Sequence, residues 1–144
     1  MPQVGDIYQL LTCKAKIINE NASKQEVIDA MLSGSPMVRS VYVVDDAGRL
    51  KGIITLGHIM QGIALQQGLV TGNMDFKSPS KLFRYSPFGS AKDIMLPPVY
   101  VAKNTKLQEA LEKMLQQRNN ELPVVDEDGS VIGDLNAFEL LKFV

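Results

Sequence analysis

Apolar and polar positions alternate along this chain in two matching passages. Residues 41–44 (VYVV) and 122–125 (LPVV) are short apolar runs. An acidic, glycine-containing turn follows each, Asp45-Asp46-Ala47-Gly48 or Asp126-Glu127-Asp128-Gly129, and then a second apolar run. That order predicts a strand, a tight turn and a returning strand. Asp45, Gly48, Gly52, Thr55 and His58 correspond to Asp126, Gly129, Gly133, Asn136 and Glu139 at a constant offset of 81. Upstream, Val27, Ile28, Met31 and Leu32 match Ala110, Leu111, Met114 and Leu115 at an offset of 83. Their spacing predicts one buried helical face in each copy. Ser23 with Glu26, and Thr105 with Gln108, read as capping boxes opening these helices. A short strand precedes each helix, at Ile17-Ile18 and at Val99-Tyr100-Val101. A second amphipathic helix closes each copy, through Leu56, Ile59, Met60 and Ile63 or through Phe138, Leu140, Leu141 and Phe143. The expected architecture is therefore an α/β (α+β) fold of two pseudo-symmetric β-α-β-β-α units packed as one globular pair. A repeat of this kind leaves a sheet face that only its neighbour can cover. Val43, Val44, Ile53, Ile54, Val124, Val125 and Leu135 are the expected core.

Composition narrows the function. The 144 residues carry 15 basic and 16 acidic side chains, which gives no electrostatic case for nucleic acid or an anionic membrane. Cys13 is the only cysteine, so neither an internal disulfide nor a cysteine metal cluster can form. No apolar run reaches membrane-spanning length and no signal-peptide pattern is present, so a cytoplasmic protein is expected. No catalytic constellation emerges: the single histidine and single cysteine lack a third member, and no P-loop or G-x-G-x-x-G occurs. The acidic pairs Asp45-Asp46 and Asp126-x-Asp128 are explained by turns. An enzyme is not expected, and neither a metal nor a required cofactor.

The element order, with PVVD-x-x-G and G-h-h-T-x-x-x inside it, resembles the cystathionine-β-synthase-type (CBS) domain. Lys92-Asp93-Ile94-Met95 resembles the segment that commonly leads into such a unit. The resemblance covers residues 7–66 and 90–144, with 67–89 as a partly structured connection. It implies a pair of units that binds an adenosine-type ligand between them, AMP, ADP, ATP or S-adenosylmethionine, and regulates an unknown effector protein. It also implies a homodimer formed through helices, to which Met31, Met60, Met95 and Met114 add adaptable apolar surface.

The family signature G-h-h-[TS]-x-x-D is altered in both copies. The first reads Gly52-Ile53-Ile54-Thr55-Leu56-Gly57-His58 and the second Gly133-Asp134-Leu135-Asn136-Ala137-Phe138-Glu139. Thr55 and Asn136 would meet phosphate beside free helix N–H groups, and Glu139 would accept ribose hydroxyls. The plainer readings stand beside these: Thr55 as an N-cap, Asn136-x-x-Glu139 as a capping box, and His58 as a solvent-facing helix residue. By resemblance, Arg39 could pair with phosphate, while Pro97 and Asn120 would border the ligand. Glu121 would oppose an anion and crowd the base. Between the units, Ser78-Pro79 could open a helical turn. Phe76, Phe83, Tyr85 and Phe88 there alternate with Lys77, Lys81 and Arg84, a pattern that could stack on bases or fold onto the core. Two functions remain: a ligand-sensing regulatory module, or a dimerisation and interaction module that has lost nucleotide binding.

Overall fold

The computed structural model describes residues 2–9, 14–66 and 89–142. Cys13, Phe143 and the aromatic and Ser-Pro stretch between the units lie outside them. The first unit runs α1 (Val4–Ile7), β1 (Lys16–Asn19), α2 (Lys24–Leu32), β2 (Val41–Val44), β3 (Leu50–Ile54) and α3 (Leu56–Gln66). The second repeats it as α4 (Ala91–Ile94), β4 (Val101–Ala102), α5 (Leu107–Gln117), β5 (Glu121–Val125), β6 (Val131–Asn136) and α6 (Ala137–Leu141). Each unit holds a three-stranded sheet with the middle strand parallel to the first and antiparallel to the third. The expected core residues of both hairpins are buried.

The hairpins are superposable in chemistry. Asp45 Oδ1 accepts the N–H groups of Ala47 and Arg49, and Asp126 Oδ1 those of Asp128 and Ser130. Gly48 and Gly129 both turn at φ +83°, a left-handed conformation that a Cβ would strain. A register shift interrupts each ladder at the same place, Val43/Val44 and Val124/Val125. The strands before the helices differ, however. β1 pairs four residues with β2, whereas β4 pairs only two with β5. Pro123, where the first copy has Tyr42, has no N–H to offer a longer β4.

The short helices α1 and α4 are exchanged between the units. Val4 and Ile7 pack into the core of the second unit with Val101, Met114, Leu122 and Leu135. Ala91 and Ile94 pack into that of the first with Val27, Val41, Val43 and Ile54. Backbone bonds fix both placements: Gly5 N–H to Lys103 O at 2.7 Å, and Ala91 N–H to Ala22 O at 2.8 Å. Side chains following these helices lie against glycines. A Cβ on Gly133 would stand 2.5 Å from the Tyr8 ring, and one on Gly52 would collide with the Met95 side chain. Gly133→Ala is therefore expected to lower stability by about 1–3 kcal/mol, because the ring cannot yield without moving α1. Gly52→Ala should cost less, because methionine can change rotamer. Urea denaturation of both variants checks the order.

The helices carry more apolar surface than the core covers, which corrects the expected buried faces. On α2 Val27 is buried, but Leu32 is 81 % exposed; on α5 Ala110 and Met114 are buried, but Leu115 is 70 % exposed. On α3 Ile59 packs inward while Leu56, Met60 and Ile63 face out. The Thr105 cap is displaced as well. α5 begins after Lys106, the residue at the helical offset of 83 from Ser23, and Thr105 Oγ1 instead accepts the N–H of Ala102 at 2.9 Å. Ser23 does cap α2, accepting Glu26 N–H at 3.1 Å.

Candidate ligand-binding clefts

Two junctions lie between the units, related by the pseudo-symmetry of the chain. At the first, the end of β3 meets the strand-like segment after α4, with Ile53 and Leu96 exchanging backbone bonds of 3.1 and 2.8 Å. A cavity of about 270 Å³ opens here, walled by Ile53, Leu96, Pro97, Val99 and Leu122. Thr55, Gln117 and Asn119 supply its polar groups. Thr55 Oγ1 accepts the His58 N–H at 3.1 Å, which makes it the cap of α3. Its other acceptor capacity and its hydroxyl proton remain for a ligand. Apolar walls with a few neutral polar groups suit a planar ring with hydrogen-bonding edges.

At the second junction Asn136 and Glu139 form a complete capping box. Asn136 Oδ1 accepts Phe138 N–H at 3.1 Å, and Glu139 Oε1 accepts Asn136 N–H at 2.9 Å. The Asn136 amide crosses to the first unit and donates to Met37 O at 2.7 Å. Glu139 is fully buried. Arg39 is exposed, its Nε donating to Pro36 O at 3.3 Å, and it lines an apolar groove of about 480 Å³ between α2 and α3.

The predicted site residues are thus distributed over both junctions. Thr55 and Pro97 share the first cavity, while Asn120 is exposed and outside its lining, its carbonyl accepting the Ala137 N–H that opens α6. Asn136 and Glu139 come together at the second, and Arg39 stands apart on the groove. His58 is buried, not solvent-facing, because the outward side of α3 is taken by Leu56, Met60 and Ile63. Glu121 is buried at the contact between the units. It reaches into the first unit, and its Oε1 accepts the N–H groups of Arg39 at 2.7 Å and Ser40 at 3.0 Å.

Sequence reasoning missed two residues here, Asp134 and Tyr42. Both are fully buried, and the Tyr42 hydroxyl donates to Asp134 Oδ1. Burial, then the neighbouring acids, push the Tyr42 phenol well above its ordinary range, so it remains a donor. Burial and the Glu121 charge push Asp134 up to about 8, against the opposing Tyr42 hydrogen bond. Burial likewise raises Glu121, and it lowers Lys16, whose charge the two acids partly restore. The available signal was disagreement between copies. Tyr42, Asp134 and Glu121 stand where the other copy has Pro123, Ile53 and Ser40. Among the described residues no group of three His, Cys, Asp or Glu could hold a metal ion, and no helix is long and apolar enough to cross a membrane.

Comparison with known proteins agrees with this architecture. The magnesium transporter MgtE of Thermus thermophilus is 26 % identical over 136 residues, which is 92 % of this chain and 25 % of that protein. The chain spans a quarter or less of the curated relatives it matches. Among solved structures, a CBS domain-containing protein of Thermotoga maritima superposes with TM-score 0.78 at 34 % identity, covering 96 % of this chain and 91 % of that one. Two more distant structures share the fold at 19 % identity. One is a Pyrobaculum aerophilum CBS domain protein complexed with AMP, with TM-score 0.68 over 96 % of this chain and 89 % of that one. The other is the CBS domain pair of protein MJ0100, complexed with 5′-methylthioadenosine and S-adenosylmethionine, with TM-score 0.70 over 99 % and 95 %. Residues 4–65 and 91–144 match the CBS domain itself, the two copies the repeat defines, and the chain belongs to the CBS domain family.

Proposed function

We propose that this CBS pair is a regulatory module, not an enzyme. It senses an adenosine-type ligand, AMP, ADP, ATP or S-adenosylmethionine, and passes its occupancy to an effector protein. The observation that carries this reading is the inter-unit cavity at Thr55 and Pro97, with apolar walls for a purine and neutral polar groups for its edges. The adenosine compounds bound by pairs of the same fold support it. In this reading the base lies between Ile53, Leu96 and Pro97. Phosphate lies toward Thr55 and the N-terminus of α3, where the helix dipole favours an anion. Asn120 follows Asn119 of the same lining, and His58 lies in the first turn of α3. Arg39 lines the groove between α2 and α3, and Asn136 and Glu139 border the second junction. There the capping box and the Met37 contact must open before Glu139 can meet a ribose.

Thermal melts with AMP, ADP, ATP and S-adenosylmethionine test this. Any of them at a hundred times its dissociation constant adds about 2.7 kcal/mol to stability. Thr55→Ala should weaken binding roughly 5- to 30-fold by removing a half-buried hydrogen-bonding group, while Glu139→Gln leaves it unchanged. The reverse pattern moves the ligand to the second junction. No response to any adenosine compound leaves the other reading, a dimerisation and interaction module. We also propose that two copies associate through the outward apolar sides of α2, α3, α5 and α6.

A further inference from the structure

The contact between the units contains three groups that the ligand reading does not use. Tyr42 on β2, Glu121 at the start of β5 and Asp134 on β6 are all buried. One oxygen of each acid is tied to the first unit, Asp134 Oδ1 by the Tyr42 hydroxyl and Glu121 Oε1 by the Arg39 and Ser40 N–H groups. The remaining oxygens, Asp134 Oδ2 and Glu121 Oε2, receive no N–H or O–H from any third group. The two carboxyls themselves are within hydrogen-bonding reach of each other. Two ionised carboxylates cannot bond to one another, but a single proton held by the pair lets one carboxyl donate to the other.

The other charged groups facing the pair are Lys16 on β1 and Glu139 on α6. Lys16 donates to the Met31 carbonyl at 2.9 Å and reaches neither acid with a hydrogen bond, while Glu139 adds negative charge. A second ionisation would therefore place like charges together in a buried junction.

We infer that Tyr42, Glu121 and Asp134 form a proton-binding site whose occupied state fastens the first unit's β2 and Arg39-Ser40 segment to β5 and β6 of the second. The site is asymmetric. At the matching junction the positions are Pro123, Ser40 and Ile53, with no acid among them. Loss of the site would loosen one junction only.

The sign follows from the two states. Unfolded, Asp134 ionises near its ordinary 3.8; folded, it does so at about 8. Between these values the folded chain holds one more proton than the unfolded chain. Stability is greatest at the acid end of this window and declines as pH rises, by up to tenfold in the folding constant per pH unit, and it levels off above about 8.

Denaturation of the ligand-free chain at several pH values from 5 to 9 tests the inference. The wild type should lose stability across this range. Asp134→Asn should abolish most of that decline and be the more stable protein at pH 8.5. Its amide oxygen still accepts from Tyr42, and its N–H replaces the shared proton toward Glu121. Tyr42→Phe removes the donor that favours ionised Asp134 and should move the decline to higher pH. Infrared difference spectra should show a protonated carboxyl at pH 6.5 in the wild type and not in Asp134→Asn. Parallel stability curves for wild type and Asp134→Asn, or no protonated carboxyl at pH 6.5, overturn the inference. If Asp134→Asn does not fold, Glu121→Gln serves instead. Its amide donates to an ionised Asp134, so an undiminished decline in that variant also overturns it.

Discussion

Ile94→Asp is expected to unfold the first unit, although Ile94 belongs by sequence to the second. Its side chain is 2 % exposed and lies among Val27, Val41, Val43 and Ile54. An uncompensated carboxylate there costs several kcal/mol, against a total stability of about 5–15 kcal/mol for a domain of this size. The milder Ile94→Ala should cost about 2–5 kcal/mol through lost burial and a residual cavity, and its mirror Ile7→Ala a similar amount. Hydrogen exchange separates the two. Ile94→Ala should expose amides of β1, β2 and β3 first, and Ile7→Ala those of β4, β5 and β6. Loss of protection in the unit that contains the substitution in sequence would contradict the exchange of α1 and α4.

Pairing Leu32→Glu with Met60→Glu should convert a dimer to a monomer. Both residues lie on the outward apolar side of the first unit, 81 % and 56 % exposed, and both border the groove between α2 and α3. The second unit presents the equivalent face with Leu111, Leu115, Phe138 and Leu141. In a twofold dimer each substitution occurs on both protomers, so four charges enter the interface. At about 1 kcal/mol or more for each desolvation, the dissociation constant should rise on the order of a thousandfold. Neither change removes a core contact, so the melting behaviour of the monomer should stay cooperative. A wild-type chain that sediments as a monomer at high micromolar concentration would remove the premise.

The strands and main helices could be read from the repeat, because a hairpin with an Asp-x-x-Gly turn is specified within a dozen residues. The partner of each hydrophobic face could not. Val27 and Leu32 look alike in sequence, and periodicity reports that a face is apolar, not what covers it. α1 was missed because Gly5-Asp6-Ile7-Tyr8 shares only Asp-Ile with Lys92-Asp93-Ile94-Met95. Its place is fixed by contacts with Lys103 and Thr105, far along the chain. Thr55 and Pro97, named from the family resemblance residue by residue, line one cavity. Asp134 escaped because a family pattern records what a position usually holds. A buried acid becomes meaningful only once Tyr42 and Glu121 are seen to converge on it from other strands.

The exchanged helices also constrain how the chain reaches its native state. Val4 bonds to Thr105, so α1 must wait on the ribosome for roughly a hundred further residues before its site exists. At about 5–20 residues per second this delay is on the order of 5–20 s, long compared with hairpin closure in microseconds. The first sheet likewise lacks Ile94 until the intervening segment has been made. Each half therefore emerges with its interior open and becomes closed only when the other supplies the missing helix. Folding of the pair should be a single late event, and a nascent chain stalled between the units should be a substrate for chaperones.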